Sequence, residues 1–205
     1  MRRLLPEGTN PLTTASVDIH PLIDTILDEL EDEWSGGDID GWAGYRNHCQ
    51  RVLIFGRHLT RAHASIDPDT AEKIAIASAF HDLAVFQTVD YLVLNNQSVK
   101  SWLEEYGKPH WYREIALAMT MHHRARPYRG DGAWLVEAIR RADWIECTAG
   151  LVRPGVPAKL VHETQNALPM GRFARFGARS IITHALTHPL DPAPFARSRR
   201  ARRII

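Results

Sequence analysis

The sequence predicts an all-α protein, a single-domain multi-helix bundle with a metal site in its helical core. Three observations lead there. A chain of 205 residues corresponds to about one domain, and 44% hydrophobic with 24% charged residues is an ordinary globular composition. Apolar residues recur at helical spacing along nearly the whole chain, with no convincing alternating strand pattern and no internal repeat. The 11 histidines outnumber the 2 cysteines, so a bound metal would be held by imidazole and carboxylate.

The helices follow in order. Pro21 suits a first helical turn, and Leu22, Ile23, Ile26, Leu27 and Leu30 keep helix spacing up to Trp34, where Ser35-Gly36-Gly37 ends the element. A second helix fits Trp42 to about Leu59, with His48, Val52 and Phe55 on one stripe. A third begins at Asp69, with Glu72 in capping-box position, and runs to about Leu83. Small or apolar residues surround this third helix on every side, which predicts a central, buried position. Further helices are expected at Ser98–Tyr106, Trp111–His123, Gly132–Cys147, Lys159–Ala167 and Arg172–Leu186, jointed at Pro154, Pro157, Pro169 and Pro189.

Composition also excludes. The longest apolar runs, such as Val52–Phe55 and Ile74–Ala77, fall far short of the ~20 residues a membrane helix needs. The opening Met-Arg-Arg-Leu-Leu-Pro has no apolar core of a secretory signal, and Cys49 and Cys147 form no Cys-x-x-Cys motif. The expectation is a cytoplasmic protein without a membrane partner. The net charge of +1 hides an asymmetry: ten acids and no Lys or Arg lie between Leu4 and Tyr45, whereas eight arginines against one acid follow from Arg172. The basic end lacks interleaved aromatics, which argues against a nucleic-acid polymer as partner. It is read as a solvated tail, or as a segment docking on the acidic helix, and the same pairing of charges suits a homodimer. The organisation expected is an N-terminal extension over 1–17, a helical domain over 18–190 with its motif region at 42–147, and a basic tail over 191–205.

Polar residues that continue an apolar stripe carry the chemistry, because burying them is costly unless something satisfies them. His48 shares the face of Val52 and Phe55. His81 and Asp82 close the central helix, His122 follows Ile115, Ala118 and Met119, and Asp143 follows Val136 and Ile139. A His-Asp dipeptide alone means little, since a chain of this composition contains about 0.7 by chance. Its setting means more: four helices each direct an imidazole or carboxylate inward, which is how helical bundles build metal sites.

The stretches Tyr-Arg-Asn-His48-Cys-Gln-Arg-Val, Ile-Ala-Ser-Ala-Phe-His81-Asp82-Leu and Ala-Ile-Arg-Arg-Ala-Asp143-Trp resemble the His…His-Asp…Asp pattern of the HD-domain superfamily of metal-dependent phosphohydrolases, over about half of the chain. The resemblance is to little-characterised members. It implies an HD-type bundle in which His48, His81, Asp82 and Asp143 bind a divalent transition metal. Mn²⁺, Fe²⁺, Co²⁺, Ni²⁺ and Zn²⁺ all suit such a donor set. It further implies a hydrolase that attacks a small phosphate ester or nucleotide with metal-activated water.

The sequence departs from the family where Lys or Glu often follows the dyad; Leu83-Ala84-Val85-Phe86 stands there. The catalytic candidates are therefore Asp82 itself and Asp90, the nearest replacement acid. His122 is a further ligand candidate, with one ion expected rather than two, and His110 is a second place from which another ligand could come. Arg51, His123, Arg124 and Arg126 are the candidates for substrate contact, the guanidinium fork matching phosphate. Two alternatives remain open: a di-iron HD-type oxygenase, which needs a further inward histidine, and a metal-stabilised ligand-binding module without turnover.

Overall fold

The structure is a computed structural model that describes residues 19–64, 67 and 69–196. The expected extension over 1–17 and the arginine-rich end from 197 onward lie outside the described residues, and so does any docking of that tail. The described residues are all-helical, without a strand, and none of their helices is long and apolar enough to cross a membrane.

The order is α1 (Pro21–Trp34), α2 (Ile39–Leu59), a short α3 (Arg61–Ala64), α4 (Thr70–Phe80), a 3₁₀ turn (Leu83–Phe86), α5 (Leu92–Glu105), a second 3₁₀ turn (Pro109–Trp111), α6 (Tyr112–Met121), α7 (Ala133–Cys147), α8 (Ala158–Ala167), α9 (Phe173–Thr187) and a last 3₁₀ turn (Pro194–Ala196). The long α2 forms the axis and packs against α7, α4, α9 and α1; α6 closes the other side on α7 and α5. As the apolar surround predicts, every α4 residue from Lys73 to Phe80 is buried.

Local chemistry explains the boundaries. Pro21 takes the first turn of α1 while Nδ1 of His20 accepts the Leu22 N–H, and Ile23, Ile26 and Leu27 turn inward. Helix α2 begins three residues before Trp42 because the Asp38 carboxylate caps it, accepting the Gly41 N–H at 3.0 Å. The capping box expected at Asp69 and Glu72 does not form. Asp69 makes no side-chain cap; Asp67 organises the turn instead, accepting the Asp69 N–H at 2.9 Å and pairing with the half-sheltered Lys73 ammonium at 2.9 Å. Glu72 is drawn to Lys108.

Helix α5 starts six residues before the expected Ser98. Asparagine amides compete with a helical backbone. Here their donors are engaged inside the fold: Asn96 Nδ2 donates to Leu92 O of its own helix at 2.7 Å and to Thr120 Oγ1 at 3.1 Å, and Asn95 reaches the turn after α4.

Two glycines give opposite expectations. A Cβ at Gly44 in α2 would lie 2.9 Å from Phe173 N and 3.2 Å from Met170 O, backbone atoms that cannot move aside. Gly177 in α9 faces open space. In urea unfolding, Gly44→Ala should lose about 1–3 kcal/mol through overpacking, despite its better helix propensity. Gly177→Ala should gain up to about 1 kcal/mol. A Gly44→Ala variant as stable as wild type would contradict this packing of α9 on α2.

Candidate metal centre

Four chain segments deliver the site. His48 comes from the middle of α2 and Asp143 from α7; both are buried helix-interior positions set by the apolar stripes that surround them. His81 and Asp82 stand just beyond α4, where the helix stops at Phe80 and Asp82 leaves the helical backbone at φ −122°, ψ 13°. His122 and His123 occupy the equivalent place after α6. The turn bearing Asp82 is pinned by Asn95, whose Nδ2 donates to His81 O at 2.5 Å while its Oδ1 accepts the Ala84 N–H at 2.8 Å.

The outer nitrogens define the inner ones. His81 Nδ1 lies 2.8 Å from Ser78 O, an acceptor only, so Nδ1 carries the hydrogen and Nε2 is a bare lone pair. His122 Nδ1 faces Met119 O, with the same consequence, and His48 Nδ1 faces Glu146 Oε2 at 3.2 Å. His48 Nε2 and His81 Nε2 meet at 3.0 Å, so the bare His81 nitrogen faces either a hydrogen from His48 or a cation shared with it. His122 Nε2 meets Asp82 Oδ1 at 3.3 Å, and both atoms are buried without a hydrogen-bond partner. Nitrogens and a carboxylate oxygen turned toward one point in the core form a donor set that could hold a metal ion. The outer bonds are those that orient metal-ligating histidines.

The carboxylates belong to the same set. Asp82 Oδ2 and Asp143 Oδ1 lie 3.6 and 3.9 Å from His81 Nε2, and neither acid pairs with a Lys or Arg among the described residues. Burial pushes Asp143 up to about 6, with the charges of Asp82 and Glu146 adding to the effect. Burial would raise Asp82 too, but the surrounding imidazoles outweigh it and hold that carboxyl well below its usual range. Burial pushes the His81 imidazole down to about 3. Burial opposes protonation of His122 as well, yet Asp82 and Asp143 raise it above the ordinary value. A positive charge therefore belongs between His122 and Asp82, as an Nε2 proton or as a metal.

Donor atoms of His48, His81, Asp82 and Asp143 all lie within 4.8 Å of one another, and those of Asp82, His122 and His123 form a second such group. Around one ion with bonds of about 2.1 Å, donors stand about 3.0–4.2 Å apart. The 3.0, 3.6 and 3.9 Å separations of the first group fall inside that window. Two neutral imidazoles and two carboxylates suit a divalent transition metal.

Of the remaining expected site residues, His123 lies nearer the acids than a pure substrate contact would. Its nitrogens stand 3.9 Å from Asp82 Oδ1 and 3.8 Å from Asp143 Oδ2, its Nε2 meets the Tyr91 hydroxyl, and its ring touches that of Phe195 at 4.7 Å. Arg51 requires a correction. One helical turn from His48 would let it face a substrate mouth, but it is 1% exposed, with Nε 2.6 Å from Glu146 Oε2 and Nη1 2.7 Å from Leu168 O. It is walled in between α2, α7 and the α8–α9 link. Arg124 lays its guanidinium against Met121 Sδ, Arg126 is exposed, and Asp90 and His110 belong to neither donor group.

Sequence reasoning passed over Glu146, Asn95, Tyr91 and Cys147, whose Sγ lies 3.6 Å from both Asp143 oxygens. Glu146 had a signal, its place three residues after Asp143 on the same helical face. The others are brought in by tertiary packing that no local spacing announces. Compared with known proteins, the chain matches no family model, no curated protein and no solved structure.

A divalent metal at about 100 times its Kd should stabilise the fold by about 2.7 kcal/mol. For a chain of this size that is a rise in Tm of about 5–10 °C, reversed by chelator. Asp143→Asn should abolish the rise while leaving the metal-free protein at least as stable, because it removes one of two carboxylates in the core that no Lys or Arg among the described residues pairs. An undiminished metal-induced rise in that variant would exclude Asp143 as a ligand.

Proposed function

We propose that the protein is a metal-dependent hydrolase of a small phosphate ester or nucleotide, with HD-type chemistry at His48, His81, Asp82 and Asp143. One observation supports the reading: the Nε2 atoms of His48 and His81 and the carboxylates of Asp82 and Asp143 converge on one point where a divalent cation would satisfy them together. The ion, when bound, supplies Lewis acidity toward a phosphoryl oxygen and activates water. The chain's own part is to hold the ligands rigid. Ser78 O and Glu146 fix the two imidazoles of the first group, and Asn95 clamps the turn that presents Asp82. Asp82 stands at the junction of both donor groups, where it meets the ligand side and the His122–His123 side at once. Tyr91 and Phe195 hold His123 at the edge of the site, with the two aromatic rings parallel at 5.8 Å.

The sharing of Asp82 by two donor groups also favours a second reading, a two-metal centre of the kind a di-iron oxygenase uses.

Metal-loaded protein offered a broad panel of phosphate monoesters and nucleotides should release phosphate from at least one. Loss of a direct ligand in His81→Ala should lower kcat/KM by more than the ~10–100-fold typical of outer partners. Two irons per chain with O₂ consumption and no phosphate release would replace the hydrolase reading with the oxygenase. Turnover of neither kind would leave a binding module.

A further inference from the structure

The buried pair Arg51–Glu146 lies outside the donor groups, yet it touches one of their members. Glu146 Oε2 accepts from His48 Nδ1 at 3.2 Å and from Arg51 Nε at 2.6 Å and Nη2 at 2.5 Å; Glu146 is 3% exposed and Arg51 1%. The other arm of the guanidinium donates to Leu168 O at 2.7 Å and Pro169 O at 3.1 Å. The same link is tied to α2 a second time by Asn47 Nδ2, which donates to Pro169 O at 3.0 Å. It leads into α9, whose Phe173 ring packs on the His48 ring at 5.2 Å.

We propose that Glu146 is the positioning residue for His48 and that Arg51 is its anchor, so that the α8–α9 link sets which nitrogen of His48 carries the hydrogen and leaves the nitrogen facing the metal centre free to bind. A neutral imidazole has two tautomers, and only the Nδ1–H form leaves Nε2 free to bind a cation. The competing acceptor is His81 Nε2, 3.0 Å from His48 Nε2, which favours the opposite form. The Glu146 carboxylate, 3.2 Å from Nδ1, is a charged and therefore stronger acceptor, and it selects the Nδ1–H tautomer. Arg51 holds that oxygen in place with two donors from a rigid fork, and is itself held by two carbonyls of the link. Removing only one of the two would leave a buried charge unpaired, so a fold-preserving test removes both.

The inference rests on the metal reading for its consequence, but the tautomer can be read without metal. In long-range ¹H–¹⁵N spectra of the metal-free wild type, His48 should show its hydrogen on Nδ1; a hydrogen on Nε2 overturns the proposal with no variant needed. In the double variant Glu146→Leu with Arg51→Met, the Nε2–H tautomer should predominate and Zn²⁺ should bind about 10–100-fold more weakly. Restoring an oxygen acceptor alone, in Glu146→Gln with Arg51→Met, should bring back the Nδ1–H form and most of the affinity. A double variant with the wild-type tautomer and wild-type Zn²⁺ affinity would show that the pair serves only to join the helices. If the wild type takes up no metal while His48 is still Nδ1–H, the metal reading fails and the positioning role stands.

Discussion

The structure turns on an electrostatic constraint at its centre. Three imidazoles spend their outer nitrogens on Ser78 O, Met119 O and Glu146, which turns their inner nitrogens toward one another and toward Asp82 and Asp143. Two carboxylates without Lys or Arg partners among the described residues are buried among them. Charges and lone pairs gathered in the interior interact strongly because the local dielectric is low. A divalent cation would turn the same arrangement into a tie among α2, α4, α6 and α7. Folding and ligand geometry then become one problem, since metal bound only to the native state adds directly to its stability.

The supporting parts divide the work by rigidity. His48 and Asp143 ride on helix interiors, where packed stripes fix them. His81, Asp82, His122 and His123 sit just past helix ends, where the backbone can turn side chains toward a common point. Those turns need outside help, and Asn95 supplies it by bonding both His81 O and Ala84 N. On the other side, the α8–α9 link holds Arg51 and through it Glu146, the partner of His48 Nδ1.

Helix existence was legible in the sequence wherever the apolar period was long, as in α1, α2, α4 and α7. Boundaries failed where a tertiary bond outweighed local preference. Asp67 displaced the Asp69 cap, and two buried asparagines continued α5 where exposed ones would have ended it. At the centre, His48, His81, Asp82, Asp143 and His122 were legible because each is a polar residue on an apolar stripe, a conflict that burial must resolve. Arg51 misled for the same reason in reverse. Its spacing from His48 placed it on the correct face, but spacing cannot say whether that face meets solvent or another helix. Glu146 is what waits for it there, and only the packing of α7 on α2 reveals the pair.

The central claim is that a cation sits where the inner nitrogens meet, and element-resolved anomalous diffraction from crystals grown with Zn²⁺ or Mn²⁺ tests it most directly. An anomalous peak should stand about 2.0–2.2 Å from His48 Nε2, His81 Nε2 and an oxygen of both Asp82 and Asp143. Metal-saturated crystals with no peak among these four residues would contradict it.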